Sequence, residues 1–170
     1  MIIGVTGRNK AGKTTAIRML KERGAKDLSL SNYLRDIVEE RFGKHERDNR
    51  KILREVGNEL REKYGPGYIM EQTLKKIARP LDLYVIDSIR NPGEVLALRT
   101  WKYGSFFIAV DARPEIRYNR AGFDPHRKEE YKTFEEFLAD EQKEEMAAEH
   151  GQQLTKTIDM ANFVFFNNGT

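Results

Sequence analysis

The chain has 170 residues, with 30 Lys and Arg against 27 Asp and Glu and 39% hydrophobic residues. That suits one folded domain and excludes a disordered chain. No apolar run reaches the roughly 18 residues of a membrane span, the N-terminus passes from Met1–Val5 straight into Thr6, Gly7 and Arg8, and the absence of Cys removes disulfides, thiolate nucleophiles and Cys-ligated zinc.

The expectation is therefore a cytoplasmic protein, neither membrane-bound nor a secreted precursor. The three histidines (His45, His126, His150) are too widely spaced to form a metal motif. Although the pI is about 9.0, basic residues are interleaved with acidic ones rather than gathered in a block. Neither nucleic acid nor membrane is expected as a partner.

In chain order, residues 2–6 form a short β-rich run that ends in a glycine loop, and 13–23 read as a helix with Ala16, Ile17 and Leu20 on one face. A weaker strand is expected near 25–30. Helical stretches follow at 31–43, 46–64 and 67–79, then an apolar run at 82–87, a helix at 91–102 and a further run at 105–110. Helices at 114–121, 133–149 and 152–160 precede a last run at 162–166. Thr133 and Glu136 match a capping box opening the helix that carries Phe134, Phe137 and Leu138.

The apolar runs lack alternation, as strands buried on both faces do. Alternating strands and helices imply right-handed crossovers and a doubly wound α/β domain with a five-stranded parallel sheet covered on both faces. No linker or internal repeat divides the chain, so residues 1–170 are expected to form a single domain. Residues 122–132 are polar and basic and read as a loop.

Gly7-Arg8-Asn9-Lys10-Ala11-Gly12-Lys13-Thr14 fits the phosphate-loop pattern G-x-x-x-x-G-K-T, between a strand and a helix as that motif requires. Its glycines let backbone N–H groups turn toward phosphate oxygens at the positive end of the helix. The nucleotide-binding set is Gly7, Asn9, Lys10, Ala11, Gly12, Lys13, Thr14 and Thr15. Lys13 is expected on the β- and γ-phosphates of ATP, and Thr14 on Mg²⁺.

Asp87 closes a strand at the edge where ligands of such sheets bind, which makes it either a second Mg²⁺ contact or the cap of the following Asn91-Pro92 turn. Arg90, three residues on, is placed to reach an acceptor phosphate. Ser31, Arg35, Arg50 and Arg61 are further acceptor candidates, and Arg113, Arg117, Arg120 and Arg127 lead through the basic loop. Arg117 and Arg120 join Lys13 and Arg90 as candidate catalytic cations, because guanidinium forks suit phosphate clamping. The competing reading for helical arginines is a surface partnership with Glu.

On five stretches the sequence resembles small P-loop kinases of the nucleoside monophosphate kinase type. These are GRNKAGKTT (7–15), SLSNYLR (29–35), VGNELREKYGPG (56–67), VIDSIRNPGEV (85–95) and QQLTKTIDMANFVFFNNGT (152–170). It is similar to archaeal dephospho-CoA kinase-like proteins, and more so to the kinase-like N-terminal domain of deoxycytidylate deaminase fusions. The resemblance implies an acceptor-binding region about 31–65 and a lid about 113–132. Three departures accompany it: Arg8, Asn9, Lys10 and Ala11 fill the loop where relatives carry extra Gly or Pro, Ser29 and Ser31 replace an acidic pair, and His126–Tyr131 stretch the lid.

The function expected is an ATP- and Mg²⁺-dependent phosphotransferase acting on a nucleoside or deoxynucleoside monophosphate. Two alternatives stand beside it: a nucleotide-binding regulatory module acting with a deaminase or other partner, and a kinase of another phosphate-bearing acceptor such as dephospho-CoA. Deaminase chemistry in this chain is excluded by the missing His and Cys zinc signature, and a signalling GTPase by the missing D-x-x-G and N-K-x-D.

Overall fold

A computed structural model describes residues 1–122, 133–145 and 151–169. Five strands, β1 (Ile2–Thr6), β2 (Lys26–Ser29), β3 (Tyr84–Asp87), β4 (Ser105–Asp111) and β5 (Phe163–Phe166), form one parallel sheet in the order β2-β3-β1-β4-β5. Among the described residues the helices are α1 (Lys13–Lys21), α2 (Leu30–Phe42), α3 (Arg50–Tyr64), α4 (Tyr68–Leu74), α5 (Pro92–Arg99), α6 (Pro114–Gly122), α7 (Phe134–Glu145) and α8 (Leu154–Asp159). A 3₁₀ turn at Lys44–Glu46 and the Asn49 cap start α3 later than 46, since the Asn49 side chain accepts from the backbone N–H groups of Lys51 and Ile52.

The sheet sorts its side chains by the strand period of two. Ile3, Val5, Val85, Ile108 and Val110 face Ala16, Ile17 and Leu20 of α1. Ile2, Ile86 and Phe107 face the opposite way, onto Leu30, Ile69, Met70, Val95 and Leu98 of the α2, α4 and α5 layer. Gly4 on that second face lies close under the α5 layer, where a Cβ would stand 2.5 Å from Leu98 Cδ2 and force Leu98 and Ile89 to shift. The α8 residues Leu154 and Ile158 pack on Ala109 of β4.

One expectation is corrected. β5 is not buried on both faces: Phe163, Val164, Phe165 and Phe166 are all exposed, Phe166 by 70%. Strand order explains it, since β5 is an edge strand with one neighbour, β4. The Thr133–Glu136 capping box is present, Glu136 N donating to Thr133 Oγ1 at 3.2 Å and Thr133 N to Glu136 Oε2 at 3.4 Å. The stretch His126–Tyr131, Arg127 and the remainder of the expected lid beyond Gly122 lie outside the described residues. Among the described residues no helix is long and apolar enough to cross a membrane.

Candidate functional site

The loop between β1 and α1 is shaped by contacts that only glycine permits. Gly7 has φ +141° and a Cβ there would lie 1.9 Å from the Val110 carbonyl oxygen; Gly12 has φ +107° and a Cβ would meet Asn167 Nδ2 at 2.4 Å. Ala11, fully buried, anchors the loop in the α1-side core. Lys10 takes a left-handed φ of 60°, a cost of roughly 1–3 kcal/mol for a non-glycine residue. The first turn of α1 carries no acidic residue and no side-chain cap, so its N-terminal N–H groups keep their affinity for an anion.

Lys13 folds back over this loop, its Nζ donating to Gly7 O at 2.8 Å and Arg8 O at 2.7 Å. Burial, with the positive charge of Arg90 as the next cause, lowers its pKa from 10.5 to about 7, against the opposing pull of Asp87. An ammonium held by carbonyls and pushed toward neutrality regains its charge when an anion arrives.

A cavity of about 380 Å³ opens on the loop, lined by Asn9, Lys10, Gly12, Lys13, Thr14, Arg90 and Arg120. Among the described residues the lining includes four basic side chains and no carboxylate, a composition suited to polyphosphate. Strand order makes the convergence. β3 is inserted between β2 and β1, pairing Gly4 with Ile86, so the Asp87–Arg90 turn stands beside the phosphate loop at the carboxyl edge of the sheet. Arg120 comes from α6 and is fixed to the loop by donating to Lys10 O at 3.3 Å, Asn167 O at 3.0 Å and Gly169 O at 2.8 Å.

Thr14 and Thr15 are exposed in the first turn of α1, Thr14 at the cavity. Asp87 is half-buried at the end of β3, its Oδ1 accepting from Ser88 Oγ at 3.2 Å and its charge acting on Lys13. It does not cap α5. That role belongs to Asn91, whose side chain accepts from Gly93 N and completes a capping box with Glu94. Among the described residues there is no group of three or more acidic or histidine side chains that would cage a metal. One hydroxyl and one carboxylate fit a cation that takes its other ligands from phosphate and water, as Mg²⁺ does.

Two candidate arginines are corrected by their partners. Arg61 is 4% exposed and donates through Nε and Nη2 to Glu94 Oε1 at 3.0 and 2.8 Å, so its fork is spent on α5 rather than offered to an acceptor. Arg117 is 2% exposed, donates to Ala112 O at 2.8 Å and forms a bidentate pair with Glu141 of α7. Its charge reaches Lys13, but its N–H groups hold α6 to α7. Arg35 is held at the surface by Asp48 and Asn32 at 2.7 and 3.0 Å. Ser31 lies in the first turn of α2 and Arg50 opens α3, neither of them lining the cavity.

Other contributors escape a reading along the chain. Asp111 ends β4 beside the loop, where its Oδ2 is 3.5 Å from Arg8 Nε; its signal was the same strand-end position that marked Asp87. Glu94 was legible as the N3 partner of the Asn91 cap. Its second oxygen also accepts from Arg90 N at 2.8 Å and Asn91 N at 3.1 Å, which stiffens the turn carrying Arg90. Asn167, donating to Ala11 O at 3.0 Å, gave no local signal.

Comparison with known proteins bears on the fold. The chain is 26% identical over 170 residues to a UPF0200 protein of Sulfurisphaera tokodaii, covering 99% of this chain and 88% of that one. A UPF0200 protein of Saccharolobus solfataricus is 28% identical over 169 residues, with 98% and 84% covered. Among solved structures, shikimate kinase from Acinetobacter baumannii in complex with shikimate superposes with a TM-score of 0.58 at 15% identity, covering 99% of this chain and 84% of that one. TT1252 from Thermus thermophilus gives 0.57 at 21%, covering 100% and 90%. These likenesses identify a P-loop kinase-like fold. The model of the AAA domain family matches residues 3–147, and the chain belongs to that family.

Proposed function

We propose that the protein is an ATP- and Mg²⁺-dependent phosphotransferase whose acceptor is a nucleoside or deoxynucleoside monophosphate. The observation that carries this is the convergence of Lys13 and Arg120 from the donor side with Arg90 from the β3 turn on one cavity. A site that only binds ATP has no use for a guanidinium on a separate strand end, whereas transfer needs the acceptor phosphate held in line with the γ-phosphate. Lys13 and the N-terminus of α1 would hold the β- and γ-phosphates, Arg120 would close over the loop, and Arg90 would neutralise the acceptor phosphate. Thr14 and Asp87 are the residues to hold Mg²⁺, which would supply charge neutralisation between the phosphates. Purified protein with ATP and each common ribo- and deoxynucleoside monophosphate, plus dephospho-CoA, should form ADP only when one acceptor class is present.

A second reading, a nucleotide-responsive binding module, is favoured by β5. Its exposed Phe163–Phe166 face runs directly into Asn167, which touches the phosphate loop, so a partner docked there, such as a deaminase, would sense nucleotide. Absence of acceptor-stimulated ADP formation across the whole panel would make this the better reading.

A further inference from the structure

The stretch from Gly151 to Thr155, leading into α8, touches both halves of the cavity. Three of its contacts close on the turn that carries Arg90. Gln153 N donates to Arg90 O at 3.0 Å, Asn91 Nδ2 donates to Gly151 O at 2.9 Å, and Arg90 Nη1 donates to Gln152 Oε1 at 2.9 Å. A fourth reaches the phosphate loop, where Arg8 Nη2 donates to Thr155 Oγ1 at 2.9 Å. The two contacts with main chain at residues 151 and 153 fasten the stretch to the turn. The Gln152 side chain does something else: it reaches the guanidinium head of Arg90, 62 residues away in sequence.

We infer that Gln152 is a positioning residue, which aims the Arg90 guanidinium into the cavity by accepting one of its N–H groups. This rests on the reading that Arg90 holds the acceptor phosphate. Ordering a long arginine side chain costs rotamer entropy; an acceptor that orders it before the ligand arrives removes that cost from binding. The choice of an amide is informative. A carboxylate would orient the fork as well and bond it more strongly, but would add a negative charge where a phosphate must bind. Glutamine gives direction without that charge.

The test compares Gln152→Ala, Gln152→Glu and Arg90→Ala, with AMP, CMP, GMP, UMP and their deoxy forms as acceptors, ATP affinity by calorimetry and melting temperature alongside. Gln152→Ala should raise the acceptor KM about five- to tenfold, leave ATP Kd within about twofold and shift the melting temperature by no more than about 2 °C. Gln152→Glu should melt no lower than the wild type and still raise KM at least as much as Gln152→Ala. A residue that merely braces the fold gives the opposite pattern, with Glu rescuing Ala. An activity-independent readout is the ¹⁵N relaxation of the Arg90 Nε–H, assigned by its disappearance in Arg90→Ala, which should be rigid in the wild type and mobile in Gln152→Ala.

Restoration of KM by Gln152→Glu, or an Arg90 side chain equally rigid without Gln152, overturns the inference while leaving the phosphotransferase reading intact. Failure of Arg90→Ala itself to raise KM defeats that reading of Arg90 and the inference with it.

Discussion

Lys13, partly buried, and Arg61, almost fully buried, are both cations drawn away from water, and they differ in what faces them. Lys13 donates to two main-chain carbonyls, and among the described residues no carboxylate is within ion-pair distance of it. Arg61 donates twice to the fully buried carboxylate of Glu94. Carbonyl dipoles neutralise only part of an ammonium's cost of burial, so Lys13 is left poised for an anion; a carboxylate satisfies a guanidinium and leaves nothing to bind. The chemistry of the partner, rather than the cation's distance from the phosphate loop, separates binding cations from structural ones here.

The largest effect that would sharpen this contrast lies on the structural side. Arg61→Ala leaves Glu94 as an uncompensated buried charge and should cost about 3–5 kcal/mol of folding stability, read by denaturant titration. Were Arg61 an acceptor ligand instead, stability would hold and only the acceptor KM would rise. Lys13→Ala should do the reverse: the protein stays folded, while calorimetry shows ATP affinity lower by about 100-fold, roughly 2.7 kcal/mol. Unchanged affinity in a folded variant would break the comparison, and the proposed function with it.

Arg90→Ala occupies the middle ground. It should leave ATP affinity within about twofold and raise the acceptor KM or lower turnover at least about tenfold, near 1.4 kcal/mol of transition-state stabilisation. Equal loss of ATP binding would move Arg90 into the donor site.

The smallest effect is a proton. With a pKa of about 7 in the free protein, Lys13 is largely neutral at pH 8; a triphosphate favours its charged form, so binding takes up protons. Affinity should therefore fall as pH rises above 7, and calorimetry at pH 8 in two buffers of different ionisation enthalpy should show uptake approaching about one proton per ATP. Lys13→Ala should abolish that uptake.

What the sequence determined by itself was whatever contiguous residues encode. The phosphate loop is a fixed spacing between a strand and a helix, and the structure shows why both glycines are needed: carbonyl and side-chain atoms stand where a Cβ would be. The order of strands and helices followed from apolar runs and periodicity, and the capping box at Thr133 from a three-residue spacing. The tertiary structure decided the partners. Arg61 meets Glu94 33 residues away, Arg117 meets Glu141 24 away, and Arg90 meets Gln152 62 away. An arginine looks the same in sequence whether a phosphate or a glutamate awaits it. The same holds for β5: an unbroken apolar run marks a strand, but burial depends on its rank in the sheet, and only the strand order put Phe163–Phe166 at an edge. Local spacing is written in covalent sequence, whereas pairing and burial arise from packing between distant segments, whose free energy no short window of residues contains.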